Sequence, residues 1–326
     1  MTTASDRDGI LLMTYGSPAT LDDLPRYLAA VRGGRPAPDE LVAEFRRRYE
    51  RIGGSPLIAI TRAQAAALEQ HLGGSPVEVG MRFSEPTIAA GLRRLRERGA
   101  GRVAGIILSP QYSPLLMGGY RRAVDEAVEE LADEVGPGVL DVPIAGSWHL
   151  EPAFVRALAE RVAAGLERLP EAERSTAPVL GTAHSLPRRV AEGEPDYLAQ
   201  LQATAAAVAV GAGLAADRWH FCWQSAGHEP GEWMKPDFAD LMPELAASGH
   251  RAVVVAPVQF LADHLEVLYD VDVGARAQAE AAGLAFARIE SLNTAPRFID
   301  ALAAVAERTL GDGATEAPGA RMTAPV

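Results

Sequence analysis

Short β-branched runs alternate with longer stretches of helical period along the whole chain, and this alternation restricts the fold more than any other feature. Candidate strands are Gly9–Thr14, Val77–Met81, Arg102–Leu108 and Val139–Ala145, then Pro178–Thr182, Trp219–Gln224, Arg251–Pro257 and Leu284–Glu290. Between them Ile88, Leu92 and Leu95 recur at helical spacing, with Gly99 as a stop. Tyr120, Val124, Val128, Leu131 and Val135 form a second stripe ended by Gly136. Val155, Leu158, Val162, Leu166 and Leu169 form a third, and Phe298, Leu302, Val305 and Thr309 a fourth. Strands joined by helices of this length imply parallel sheets covered on both faces.

The 326 residues suit two domains. The two halves echo each other: Leu11-Leu12-Met13-Thr14-Tyr15-Gly16-Ser17-Pro18 and Val179-Leu180-Gly181-Thr182-Ala183-His184-Ser185-Leu186-Pro187 each close a first strand. Ser109-Pro110-Gln111-Tyr112 and Ala256-Pro257-Val258-Gln259-Phe260 each follow a later apolar strand. Duplication of one α/β unit would set these segments at carboxyl ends of strands, where open α/β sheets bind ligands. The division is expected near Ser147–Pro152, giving units 1–150 and 151–310. The Gly-, Ala-, Thr- and Pro-rich stretch 311–326 reads as a disordered tail.

Composition excludes several classes. With 31 Lys and Arg against 43 Asp and Glu, the net charge of −12 argues against nucleic acid or an anionic membrane as partner. The single cysteine, Cys222, rules out an internal disulfide and any four-cysteine zinc or iron–sulfur site within the chain. Met1–Asp8 lacks an apolar signal segment, and no stretch is long and apolar enough for a membrane span, so a cytoplasmic location is expected. A monomer needs no special assumption. G-x-G-x-x-G and G-x-x-x-x-G-K-[ST] phosphate loops, a G-x-S-x-G elbow and H-E-x-x-H are all absent where their chemistry would need them.

Two histidine-bearing segments remain. Thr182-Ala183-His184-Ser185-Leu186-Pro187 follows a strand, and imidazole is the side chain suited to proton transfer near neutral pH. From its residues alone His184 reads equally as a loop histidine bonded to backbone. Asp263-His264-Leu265-Glu266-Val267-Leu268-Tyr269-Asp270 adds a row of acids, with Glu266 and Asp270 on one face at i,i+4 if the segment opens a helix. Such a row reads first as a solvated face, and second as a path for protons or a divalent cation. Arg26, Arg32, Arg35, Arg46, Arg47, Arg48 and Arg51 form a basic cluster in an acidic chain. Most are expected in surface ion pairs; a local rim of guanidinium groups would suit a ligand bearing carboxylates. Cys222, His71, His149, His220, His228 and His250 have no partner spacing and read as structural or surface residues.

Together these segments resemble the ferrochelatases, which insert ferrous iron into porphyrins. The resemblance runs from about Gly9 to Leu310. It is carried by Leu12-Met13-Thr14-Tyr15-Gly16-Ser17-Pro18, Arg48-Tyr49-Glu50-Arg51-Ile52-Gly53-Gly54-Ser55-Pro56-Leu57, the His184 segment, Trp223-Gln224-Ser225-Ala226-Gly227 and the Asp263–Asp270 segment. It implies two Rossmann-like, doubly wound parallel-sheet domains with a tetrapyrrole cleft between them. It implies His184 and Glu266 as the catalytic pair, and His184, Glu266 and Asp270 as groups that meet the metal. Tyr15, Arg32, Arg48, Ser55 and Tyr120 match substrate-binding positions of soluble bacterial members that act on coproporphyrin III. Ferrous iron is then a substrate, coproheme the product, and a coproheme decarboxylase the downstream partner. The chain departs from the family pattern in three places. It lacks the four cysteines that hold a [2Fe-2S] cluster in some relatives. Gly53-Gly54-Ser55 is one residue shorter before the serine than in many, and Gly274 stands where many carry a further glutamate. The competing expectations are a cobalt or nickel chelatase for another tetrapyrrole and a non-catalytic porphyrin or heme carrier.

Overall fold

The computed structural model describes residues 7–136, 140–227 and 231–312. Among the described residues, seven strands form two sheets: β1 (Arg7–Thr14), β2 (Val77–Met81), β3 (Ala100–Ile107), β4 (Val179–His184), β5 (Trp219–Gln224), β6 (Ala252–Pro257) and β7 (Ala285–Arg288). Their orders are β2-β1-β3 and β5-β4-β6-β7, and every pairing is parallel. Parallel strands buried on both faces need near-continuous apolar runs. Ile10–Met13 and Ala252–Val255 satisfy this, being at most 1% exposed.

The expected strand at Val139–Ala145 does not form. Val139 lies outside the described residues, and residues 140–145 pair with β3 only through the parallel bridges Arg102↔Asp141 and Gly105↔Ile144. Pro143 lies between the two bridges; with no N–H it cannot donate to a ladder. The segment therefore lies along the edge of the first sheet without becoming a regular strand. Among the described residues the last helix, Pro296–Asp312, takes in the first two residues of the expected tail; the remainder of that tail and His228 fall outside the described residues.

In both sheets the first strand of the half sits beside two later ones that leave it in opposite directions (β1 between β2 and β3, β4 between β5 and β6). That arrangement opens a crevice at the carboxyl end of the first strand. Tyr15 follows β1, and His184 closes β4. The halves share one apolar core that includes Leu12, Leu68, Phe154, Val254 and Phe298. Polar side chains also tie them: Gln64 Nε2 donates to the Asn293 carbonyl (2.9 Å), and Gln111 Nε2 to Thr204 Oγ1 (2.9 Å).

Helix Ile88–Glu97 lies close on the first sheet because Gly91 carries no side chain: a Cβ there would come within 2.7 Å of Leu11 Cδ1 and of the Val79 carbonyl oxygen. Gly91→Ala is therefore expected to lower stability by about 1–3 kcal/mol through overpacking, despite the better helix propensity of alanine. Urea denaturation measures it, and an unchanged or raised midpoint would contradict this packing.

Candidate active site

Carboxyl ends of strands deliver most of the site. His184 is the last residue of β4, and its backbone N–H donates to Gln259 Oε1 (2.7 Å), two residues past β6. Gln259 is itself oriented through its Nε2, which donates to the Tyr197 hydroxyl (2.6 Å). The His184 Nδ1 faces the Ser185 carbonyl oxygen at 2.5 Å. A carbonyl only accepts, so Nδ1 carries the hydrogen and Nε2 of the neutral ring keeps its lone pair. His184 is thus bonded to backbone through Nδ1, as one of its two readings expects, and its Nε2 has no backbone partner.

That free Nε2 lies 3.7 Å from Glu266 Oε1. The other carboxylate oxygen, Oε2, is 3.3 Å from Nε2 of His264, whose Nδ1 faces the Ala262 carbonyl at 3.0 Å. One carboxylate thus sits between two imidazoles, each with its far nitrogen tied to backbone. Burial alone would raise the pKa of Glu266. The charge of His184, with the hydrogen bond and charge of His264, outweighs burial and brings it down to about 2. The side chain is still 37% exposed.

Glu266 opens a ten-residue π-helix, Glu266–Ala275, rather than the α-helix that the i,i+4 spacing suggested. The wider i→i+5 turn is rare and concentrates at functional sites. Val267, Val271 and Ala275 anchor it at every fourth position, fully buried. Glu266 and Asp270 occupy the adjoining row, and Gln224 Nε2 donates to the Glu266 carbonyl (3.3 Å). Asp270 has the opposite electrostatics. Burial raises its pKa most; a hydrogen bond from Ser225 opposes that, the Glu266 charge adds to it, and Arg48 and His184 oppose it.

Tyr15 is 42% exposed, its ring edge-on to Phe83 at 4.5 Å. Burial raises its pKa, with Arg82 lowering and Glu266 raising it, so the hydroxyl is neutral at pH 7. The two charges also locate it, near both Arg82 and Glu266. The Thr14 and Tyr15 carbonyls accept from the backbone N–H groups of Arg82 and Phe83 (2.9 and 3.1 Å), extending the β1–β2 register into the site.

The four remaining expected residues are spread along the first half. Arg32 caps helix Leu24–Val31, and its buried Nε has no hydrogen-bond partner among the described residues. Arg48, on helix Asp39–Ile52, pairs with Glu44, lies 3.9 Å from Asp270 Oδ1, and covers the rings of Phe45 and Tyr269. The Ser55 hydroxyl accepts from the Leu57 N–H (3.3 Å) at the start of helix Leu57–His71. Tyr120 is only 6% exposed, with the Arg82 guanidinium 5.4 Å from its ring centre. The structure thus draws His184, Glu266, Asp270, Tyr15 and Arg48 together. It leaves Tyr120 under Arg82 and engages Ser55 in a helix start. Among the described residues no three His, Cys, Asp or Glu side chains form a ready-made metal cage.

Sequence reasoning missed Arg82 and Phe83 as parts of the site, and named Gln259 and His264 only within longer segments, without a role. Arg82, Phe83 and Gln259 stand just beyond strand ends, the signal that picked out His184; His264 stands two residues before Glu266. Of the other arginines, Arg26 pairs with Asp23 (3.3 Å), the expected surface ion pair, whereas half-buried Arg46 donates instead to the Leu21 carbonyl (3.1 Å). Cys222 is buried in β5, and burial pushes its thiol pKa up, in keeping with a structural role.

Solved structures of other proteins share the fold. SirB of Bacillus subtilis, solved with Fe3+, matches at a TM-score of 0.57 with 13% identity over 94% of this chain and 97% of its own. The CbiX structure, described as the terminal enzyme of siroheme biosynthesis in denitrifying bacteria, matches at 0.51 with 13% identity over 92% and 98%. The fold is that of the chelatases. The sequence narrows this further, because the ferrochelatase family profile matches residues 7–310. The ferrochelatase of Deinococcus radiodurans is 38% identical over 94% of this chain and 98% of its own. The coproporphyrin III ferrochelatase of Bacillus subtilis is 37% identical over 93% and 98%. That of Geobacillus kaustophilus is 39% identical over 91% and 94%. The chain belongs to the ferrochelatase family, the metal-chelating lyases that insert iron during heme biosynthesis. Among the described residues no helix is long and apolar enough to cross a membrane.

The raised pKa of Asp270 fixes the sign of a stability test. A carboxyl that binds its proton more tightly when folded adds stability at low pH and loses it as pH rises through the folded pKa. Asp270→Asn, neutral throughout, is expected to melt above the parent chain at pH 7–8. The gap should close as pH falls to about 4, the ordinary aspartate range. A parent chain that melts higher than the variant at pH 8 would contradict the assignment.

Proposed function

We propose that this chain inserts ferrous iron into coproporphyrin III to give coproheme, releasing two protons. The observation that carries this reading is the Glu266 carboxylate between the Nε2 atoms of His184 and His264, close enough to Tyr15 for its charge to act there. A free-base porphyrin holds two N–H protons at its centre, and the metal cannot enter the plane until the ring puckers and both leave. A cleft complementary to the puckered ring lowers that barrier.

In this reading His184, with Nδ1–H held by the Ser185 carbonyl, accepts a pyrrole proton on Nε2. The adjacent carboxylate stabilises the imidazolium and relays the proton outward. Asp270, one turn along, extends the path. Ferrous iron accepts imidazole and carboxylate ligands. A site short of a full protein cage suits a metal that must be passed on to four pyrrole nitrogens. Tyr15 bounds the opposite face of the ring.

Arg32, Arg48, Ser55 and Tyr120 hold propionates. The bare Nε of half-buried Arg32 supports this, because a guanidinium lacking a partner there is completed by a carboxylate. Four propionates on coproporphyrin III would use more of these contacts than the two on protoporphyrin IX. The relatives named for coproporphyrin III point the same way. The finer reading also takes the units as 1–150 and 151–310, the protein as a cytoplasmic monomer, and a coproheme decarboxylase as the next partner.

Two variants test the assignment in anaerobic mixtures with coproporphyrin III and ferrous iron, followed by the change from free-base to metalloporphyrin bands. His184→Ala is expected to bind porphyrin like the parent chain and to insert iron at least about 100-fold more slowly, the scale of a general base. Parental turnover in that variant would remove His184 as the proton acceptor. Arg48→Ala is expected to weaken coproporphyrin III by several-fold more than protoporphyrin IX in fluorescence-quenching titrations. Equal weakening would remove Arg48 from the selective contacts.

A further inference from the structure

Asp263, at the head of the acidic segment, and Asp272, two residues past Asp270, are acids that iron insertion by His184 and Glu266 leaves unused. These two flank the catalytic stretch, and both meet one side chain. Arg288 closes β7, and its Nε and Nη2 donate to the two carboxylate oxygens of Asp272 at 2.8 and 2.9 Å, a bidentate fork. Its Nη1 lies 3.3 Å from Asp263 Oδ1 and donates to the Ile289 carbonyl at 2.9 Å and Ser291 Oγ at 3.3 Å. Asp263 is held from the other side as well. Ser291 Oγ donates to its Oδ1 (2.7 Å) and Asn293 Nδ2 to its Oδ2 (2.9 Å), while its own N–H donates to Asn293 Oδ1 (3.0 Å). Only 13% of the Arg288 side chain is exposed.

We propose that Arg288 is a positioning residue for iron insertion: its guanidinium ties Asp263, ahead of the π-helix, to Asp272 within it, and so fixes where Glu266 meets His184. The proposal rests on the iron-insertion function and adds to it a group that touches neither iron nor porphyrin. A π-helix is an unusual turn, and a chain segment of this kind needs outside support to keep one geometry. Asp263 and Asp272 bound an arc of the chain, and His264, Glu266 and Asp270 all lie on it. A single planar fork across the two ends holds that arc at a fixed span.

Stability alone does not account for the arrangement. One buried cation facing two carboxylates gives up hydration that well-packed apolar side chains would not need to recover. What the charged fork supplies is direction, because it accepts only one orientation of Asp272. The link also reaches the first half of the chain. The Asn293 that orients Asp263 takes a hydrogen bond at its carbonyl from buried Gln64, on helix Leu57–His71. The arc carrying the catalytic carboxylate is thereby tied to both halves that enclose the cleft.

The test uses the full chain with coproporphyrin III and ferrous iron under anaerobic conditions, with Arg288→Met, Arg288→Lys and Asp272→Asn beside the parent chain. Groups that orient metal-binding side chains from behind typically matter by about 10–100-fold. Arg288→Met and Asp272→Asn are expected to lose that factor in kcat, with a raised KM for iron and porphyrin affinity within twofold of the parent. Arg288→Lys keeps the charge but not the fork, and should recover only part of the loss. Val162→Ala, a core truncation on helix Pro152–Glu167, serves as a destabilised control and should leave kcat and the iron KM unchanged. If Arg288→Met does not fold, the two polar variants carry the test. Parental kcat and iron KM in the Arg288 and Asp272 variants, or a loss that Val162→Ala reproduces at the same melting temperature, would overturn the proposal alone. A parent chain that binds coproporphyrin III but inserts no iron would overturn the functional reading, and the proposal with it.

Discussion

The Glu266 carboxylate between the Nε2 atoms of His184 and His264, at 3.7 and 3.3 Å, is the interaction on which the rest of the site depends. A half-buried carboxylate gives up part of its hydration, and an imidazolium on either side, donating from Nε2, offsets that loss. Both rings are held from behind by a carbonyl on Nδ1, so the nitrogens facing the carboxylate are the ones whose protons can move. Titratable groups coupled this closely are characteristic of sites that handle protons. The neighbouring Asp270 is pushed the other way by burial and by the Glu266 charge, which sets two carboxyls of opposite tendency along one row.

The fold brings these groups together because two sheets of the same local order each leave a crevice at the carboxyl end of a central strand. Tyr15 comes from the crevice of β1 and His184 from that of β4. A shared apolar core holds the halves, and a few buried amides, among them Gln64 and Gln111, cross between them. Tyr15 and His184 are thus carried at the ends of rigid strands, while Arg32 and Arg48 stand at a helix end and on a helix.

Seven of the eight strands were legible because buried parallel strands leave apolar, β-branched runs such as Ala252–Val255, which little else in a sequence produces. The eighth failed because an edge segment with Asp141 and Pro143 looks apolar enough in sequence but makes only two bridges. His184 was legible as a histidine directly after such a run. The row of Glu266 and Asp270 was visible, but its π-helical turn was not, since spacing of four fits an α-helix equally well. Arg82 was hidden for a different reason: its place over Phe83 and Tyr120 depends on the third dimension, and on Gly119, where a Cβ would lie 1.9 Å from Arg82 Nη2. The joining of Asp263 to Asp272 through Arg288 likewise spans elements that no local pattern connects.

The central claim is that Glu266 and the imidazoles beside it move the pyrrole protons that iron replaces. The most direct measurement is a single turnover in an anaerobic stopped-flow instrument, with coproporphyrin III already bound, ferrous iron added, and a pH indicator read alongside the porphyrin bands. The account predicts two protons released per iron inserted in the parent chain. It further predicts that Glu266→Gln binds the porphyrin as tightly but carries out the same step at least about 100-fold more slowly. Insertion by Glu266→Gln at the parental rate, with porphyrin binding intact, would contradict it.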